Sequence, residues 1–303
     1  MALELGDRAF ELRARNNYAS VLYLNDPLRA SAMMREAAEV ARDIGDRQMY
    51  RWMLGNNAAN AFSEGQRWDE MLQELDEALA HATLPADRVR LLVFVSLIAG
   101  ERGESVDAVV DELLELTHGR EGADMRFSEA MAQAHRAFLL DDVASVMRYA
   151  KDAFAVDAQN PEVPASLAFR AAVVANDPDL IQEAAEMVRS LPATGAWSLA
   201  FRRHVEAALA GLEGRTAEAA AEHVAAHDTM VDLGQLFDAA ILATLANLLL
   251  PGRPELRAIG ERARETLTRL RARVWLRRLE AALDAPVPTA AGAPSATSAE
   301  VAA

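Results

Sequence analysis

The chain reads as an all-α protein, an α-solenoid of about seven helical hairpins, and three observations carry that reading. Its residues are 51% hydrophobic but only 6% aromatic, so the apolar mass is mostly Ala, Leu and Val. Ala and Leu are strong helix formers, and small Ala side chains let helices approach closely. A segment also recurs: MALELGDR (Met1 to Arg8) returns as VARDIGDR (Val40 to Arg47) at an offset of 39 residues. Asn17-Tyr18-Ala19 answers Asn56-Asn57-Ala58 at that same offset. Finally, Gly, Pro and Asp punctuate the chain with a period of about 37 to 41 residues, and no strand-like alternation interrupts it.

In chain order, the first hairpin pairs Arg8–Leu24 with Leu28–Ile44 across Asn25-Asp26-Pro27, where Pro suits a first helical turn. Gly45 and Asp46 then end one helix and begin the next, as do Gly6 and Asp7. The glycines can take the left-handed conformation past a helix end, and the aspartates can cap free N–H groups. The second hairpin, Asp46 to Leu84, is the clearest. Its first helix spans Arg47–Glu64, Gly65 makes the turn, and Trp68–Leu84 places Trp68, Met71, Leu72, Leu75, Ala78 and Leu79 on one face. The third pairs Arg88–Glu101 with Ser105–His118 across Gly103, and the fourth Ala123–Leu140 with Val143–Val156 across Asp141-Asp142. The fifth pairs Val163–Ala175 with Leu180–Leu191 across Asp177-Pro178. The sixth pairs Trp197–Leu212 with Ala217–Leu233, and the seventh Leu236–Leu250 with Glu255–Leu270 across Pro251-Gly252. A helix from Val274 to Asp284 caps the array.

Residues 1–284 thus form one repeat domain. The tail 285–303, rich in Ala, Pro, Ser and Thr, holds too little apolar surface to order itself, so disorder is expected there. Met1 to Leu5 matches the last turn of the preceding repeat's second helix, at Val40 to Ile44. A start in mid-hairpin predicts that residues 1–303 are a fragment, or a mis-started product, of a longer protein.

GQRWDEMLQELDEAL, from Gly65, resembles the second half of a tetratricopeptide unit: Trp68, Asp69, Glu70, Ala78 and Leu79 match, and Met71 stands where that family prefers Ala. The resemblance implies a right-handed superhelix whose first helices line a concave face. RETLTRLRARVWLRRLEAAL (Arg264 to Leu283), IGDR and LGNNAANAF (Leu54 to Phe62) are similar to the C-terminal helical-repeat arm of bacterial multidomain signalling proteins. Those include class III adenylate or guanylate cyclases fused to a signalling ATPase, and related transcriptional regulators. It implies a non-catalytic protein–protein interaction or regulatory scaffold, with cyclase and ATP-binding modules upstream. A module sensing a ligand or peptide in the concave cavity is the alternative.

Composition narrows the classes further. The chain has no cysteine, which removes disulfides and thiolate metal sites. A net charge of −15 disfavours nonspecific binding to nucleic acid or anionic lipid. MALELGDRAF lacks the features of a signal peptide, and the apolar run Ala239 to Leu250 is far short of the ~20 residues that a membrane span needs. A cytoplasmic protein is expected. No P-loop or dinucleotide fingerprint occurs, so neither nucleotide chemistry nor a cofactor is expected.

The candidate partner contacts lie on the first helices: Arg13, Asn16, Asn17, Tyr50, Arg51, Asn56, Asn57 and Asn60. Asn inside a helix is costly relative to Ala, so something should compensate it. Capture of a protein or peptide does so, and so do bonds to neighbouring helices. His223 and His227, four apart, could share a metal, but no third ligand is specified, and a solvated face is expected. His81, His118, His135 and His204 are expected at the surface or at helix ends. No catalytic constellation and no metal site is assigned. Between Arg253 and Arg278 stand nine Arg against three Glu. This stretch reads as a solvated face with ion pairs along the helix, or as a surface docking on acidic residues of the same chain or a partner.

Overall fold

The computed structural model describes residues 8–23, 25–156 and 161–285. The expected tail, apart from Ala285, and the Met1–Leu5 repeat match lie outside them. Among the described residues the fold is all-helical, with fifteen α-helices and no strand. They are α1 (Arg8–Tyr23), α2 (Pro27–Asp43), α3 (Arg47–Glu64), α4 (Trp68–Ala80), α5 (Pro85–Glu101), α6 (Asp107–Thr117), α7 (Ala123–Leu139) and α8 (Val143–Ala155). They continue with α9 (Glu162–Val174), α10 (Pro178–Ser190), α11 (Ala196–Leu212), α12 (Thr216–Asp232), α13 (Leu236–Leu249), α14 (Pro254–Leu270) and α15 (Arg273–Asp284). No helix among them is long and apolar enough to cross a membrane.

Local chemistry sets the boundaries. Gly45 is left-handed at φ 75°, and the Asp46 carboxylate accepts from the Met49 N–H at 3.0 Å, as the repeated Gly-Asp pair predicts. Asp26 and Asp177 cap in the same way, each followed by Pro at the first helical position. Pro85 does likewise for α5, which therefore starts three residues before the expected Arg88. The template helix α4 buries Trp68, Met71, Leu75 and Ala78, while Leu72 and Leu79 remain half-buried.

Successive helices pack against one another, but the chain does not run on as an open row. α13 packs on α3, α9, α11, α12, α14 and α15, and α15 also reaches α5. LFDAAILATLANLL is predominantly apolar, and every residue from Phe237 to Asn247 is buried, Asp238, Thr244 and Asn247 included. A helix hydrophobic on all sides belongs in an interior. Phe237 meets the template hairpin edge-on: its ring lies 4.9 Å from that of Trp68 and 5.0 Å from that of Phe62, which itself stacks on Trp68. Gly65 is required at this junction, because a Cβ there would sit 3.1 Å from the Phe237 backbone nitrogen and 3.1 Å from Leu270 Cδ1.

The arginine-rich stretch completes the closure. Arg269 donates to the Gly65 carbonyl at 3.0 Å, Arg271 pairs with Asp69, and Arg278 donates to Asp141 at 2.6 Å and to the Phe138 carbonyl at 3.2 Å. From the other side, buried Arg102 donates to the Leu270 carbonyl and pairs with Asp69 at 2.8 Å. Of the two readings of this stretch, docking within the chain holds for these arginines. Arg257, Arg262 and Arg264 pair along or between neighbouring helices.

The histidine expectations need correction. His223 and His227 are buried, as are His135 and His204; only His81 and His118 are exposed. Two rings four residues apart face inward because α12 packs on both α11 and α13, which leaves little of it for solvent. His135 lies 3.4 Å from the buried Glu101 carboxylate, and His227 lies 2.8 Å from Asp228.

Candidate functional site

The expected contact residues divide into an outward set and an inward set. Outward lie Arg13 and Asn17, exposed on α1, with Asn16 and Asn56 half-buried beside them. Asn56 Nδ2 donates to Asn16 Oδ1 at 2.9 Å, and Asn16 Nδ2 donates to Asn17 Oδ1 at 3.3 Å. This amide relay joins α1 to α3 and leaves Asn17 Nδ2 and Asn56 Oδ1 outside it. Inward lie Asn57 and Asn60, both buried; among the described residues the Asn57 side-chain carbonyl has no partner, and Asn60 Nδ2 meets only Met34 Sδ at 3.5 Å. Tyr50 is partly buried against the cluster of Leu12, Ala37, Ala38, Ala41 and Met53. Arg51 is tied down, donating to Asp87 at 3.1 Å and to the His81 carbonyl at 2.7 Å.

Two residues that sequence reading passed over complete the outward face. Trp52 is 42% exposed, and the Arg90 guanidinium of α5 lies 3.4 Å from its ring centroid. Gly55 makes this stack possible: a Cβ there would meet Arg90 Cγ and Cδ at 2.9 Å, so the bare backbone lets the side chain cross α3. Burial lowers the Arg90 pKa, against the opposing pull of Asp124 and Asp87. A signal for Trp52 existed, because it stands 39 residues after Arg13, the offset that places Asn56 after Asn17. The face from α1 to α5 thus offers an exposed indole, a stacked guanidinium, a free-standing arginine position and an amide relay.

Chemically, the face can hold an apolar side chain against Trp52 and acceptor groups against Arg90 and the amides. Trp and Arg are the residues most enriched at the energetic centres of protein interfaces. Among the described residues no group of three or more His, Asp or Glu side chains is arranged to hold a metal ion. No protein-family model, curated protein or solved structure matches this chain.

Proposed function

We propose that the chain is a non-catalytic interaction module whose α1–α3–α5 face takes a protein or peptide partner. The observation that carries this reading is the half-exposed Trp52 with Arg90 stacked on it. A large indole left open to water costs hydrophobic free energy, about 25 cal/mol for each Å² that a partner could cover. Arg90 lies over that indole, so a partner meets a pre-ordered surface and loses little side-chain entropy on binding. The partner that fits brings an apolar side chain flanked by a carboxylate or backbone carbonyls.

The tetratricopeptide-like pattern at Gly65 supports a right-handed solenoid of about seven units as the scaffold for this face. The resemblance of LGNNAANAF and the closing helices to signalling arms supports a cytoplasmic regulatory role, with other modules of the same polypeptide among the partners.

Affinity capture from the native cell tests the reading, comparing the unaltered chain with Trp52→Ser and with Arg148→Ala, a change on the exposed face of α8. A partner retained by Arg148→Ala and lost from Trp52→Ser is expected. Identical partners for all three chains would remove this face from the function. ATP hydrolysis by the purified chain would overturn the non-catalytic assignment.

A further inference from the structure

Four hairpin turns are sealed by the C-terminal helices. The turn after α1 meets Gly234 and Gln235, through Leu28 and the Tyr23 hydroxyl respectively. The turn after α3 meets Phe237 and Leu270, that after α5 meets Leu270 and Arg273, and that after α7 meets Arg278. The turn after α9 stands off, and an open cleft of about 490 Å³ separates it from α15. Its lining is apolar apart from three charged residues. Val143 and Val146 of α8, Ala171 and Val174 of α9 and Ala281 of α15 form its walls, and Arg277, Arg278 and Asp141 supply the charge.

We propose that this cleft binds an amphiphilic monocarboxylate, a molecule with a single carboxylate on an apolar body. The site lies on other helices than the α1–α3–α5 face and does not depend on the function assigned to that face. A partner helix would lie on so open a cleft by one face only, with most of its surface left outside. A cleft of about 490 Å³ instead falls within the range of small-ligand sites, roughly 300–1,000 Å³.

Charge selects the head group. Arg278 and Asp141 neutralise each other at 2.6 Å, and Arg278 is fixed by the Phe138 carbonyl and by the Phe138 ring, 4.2 Å from its guanidinium carbon. Arg277 is exposed and forms no ion pair among the described residues, so one positive charge is left over at an apolar cleft. A planar guanidinium matches a carboxylate in two parallel hydrogen bonds. One uncommitted guanidinium balances one negative charge, which favours a carboxylate over a nearly dianionic phosphate.

Isothermal titration calorimetry on the full chain tests this with decanoate, decylamine, decanol and an acidic peptide, each kept below its aggregation threshold. One-site binding of decanoate is expected, with the other three about tenfold weaker or undetectable. Arg277→Gln should weaken decanoate about tenfold, and Ala281→Trp, which fills the cleft from an exposed position, should abolish binding. Thermal melts show whether both variants remain folded. Decanol binding as tightly as decanoate would overturn the proposal, as would decanoate binding indifferent to both substitutions, or absent. Tighter binding of the peptide would overturn it in favour of a peptide groove.

Discussion

His204 and His223 meet nitrogen to nitrogen, Nδ1 to Nδ1 at 2.9 Å, between α11 and α12 with neither ring exposed to solvent. The contact requires one ring to donate from Nδ1 and the other to accept, so at least one ring must be neutral. Burial pushes the His223 pKa down to about 3 and that of His204 well below its ordinary value, the latter helped by His223, Arg170 and His227. His227 is lowered too, by burial, against the pull of Asp228. Among the described residues the Nε2 atoms of His204 and His223 have no partner, so the Nδ1 contact and the surrounding packing hold the pair.

Acid lability follows. A histidine whose folded pKa lies below its unfolded value of ~6.5 costs nothing above that pH. As the pH falls further, the unfolded chain takes up protons that the fold refuses, and stability is lost down to the folded pKa. Between pH 7.5 and pH 5 His223 should remove on the order of 2 kcal/mol, and His204 adds to the loss in the same direction. Urea unfolding at the two pH values measures the loss. Changing both residues to Leu should flatten the pH slope; an unchanged slope would place its origin elsewhere.

Closure of the chain on itself predicts a single cooperative unit rather than independent hairpins. Phe237 is fully buried against Trp68, so Phe237→Ala should cost about 3–5 kcal/mol. It should also lower protection from amide exchange in α3 and α4, over 150 residues away in sequence. Protection lost only around α13 would show that the two ends of the chain unfold separately.

Local and distant features differ in how far the sequence discloses them. Gly45-Asp46, Asp26-Pro27 and the Trp68 face each write their geometry within a few residues, and the structure follows them. The closure depends on pairs such as Arg271 with Asp69, 202 positions apart, which leave no mark in either neighbourhood. One signal did exist. The run from Ala239 to Leu250 served only to exclude a membrane span, although its lack of a polar face already required neighbours on every side. In α12, Ala occupies so many positions that inner and outer faces look alike, and the burial of His223 and His227 is invisible to periodicity. The candidate site was half legible: the Asn17/Asn56 register pointed to the α1–α3 face, while burial removed Asn57 and Asn60 from it. Nothing near Trp52 in the sequence announces Arg90, which reaches it from α5 across Gly55.

Arg51 and Arg13 were candidates of equal standing in the sequence, and they should respond differently to truncation. Arg51 forms a partly buried ion pair with Asp87 and also satisfies a carbonyl, so Arg51→Ala should destabilise by about 2–3 kcal/mol. Arg13 is exposed, and Arg13→Ala should stay within about 0.5 kcal/mol. Chemical denaturation separates the two. Comparable losses would mean that Arg13 has a structural partner in solution.

Asp238 offers the sharpest test of the interior. Its carboxylate is buried at the start of α13, accepting from Trp197 Nε1 at 2.9 Å and from Arg170 Nη2 at 3.3 Å. These bonds tie α9 and α11 to the central helix, and Arg170 has no other ion pair among the described residues. Asp238→Ala would strand a largely buried guanidinium, at a cost of about 3–5 kcal/mol. Replacing Asp238 and Arg170 together by Leu and Met removes both charges and should restore most of that loss, since a buried pair contributes little beyond an apolar packing of similar volume. The comparison of single and double variants by urea unfolding decides the matter. If the double variant were no more stable than Asp238→Ala, the tie to Trp197, rather than charge pairing, would be what holds α13 in the centre.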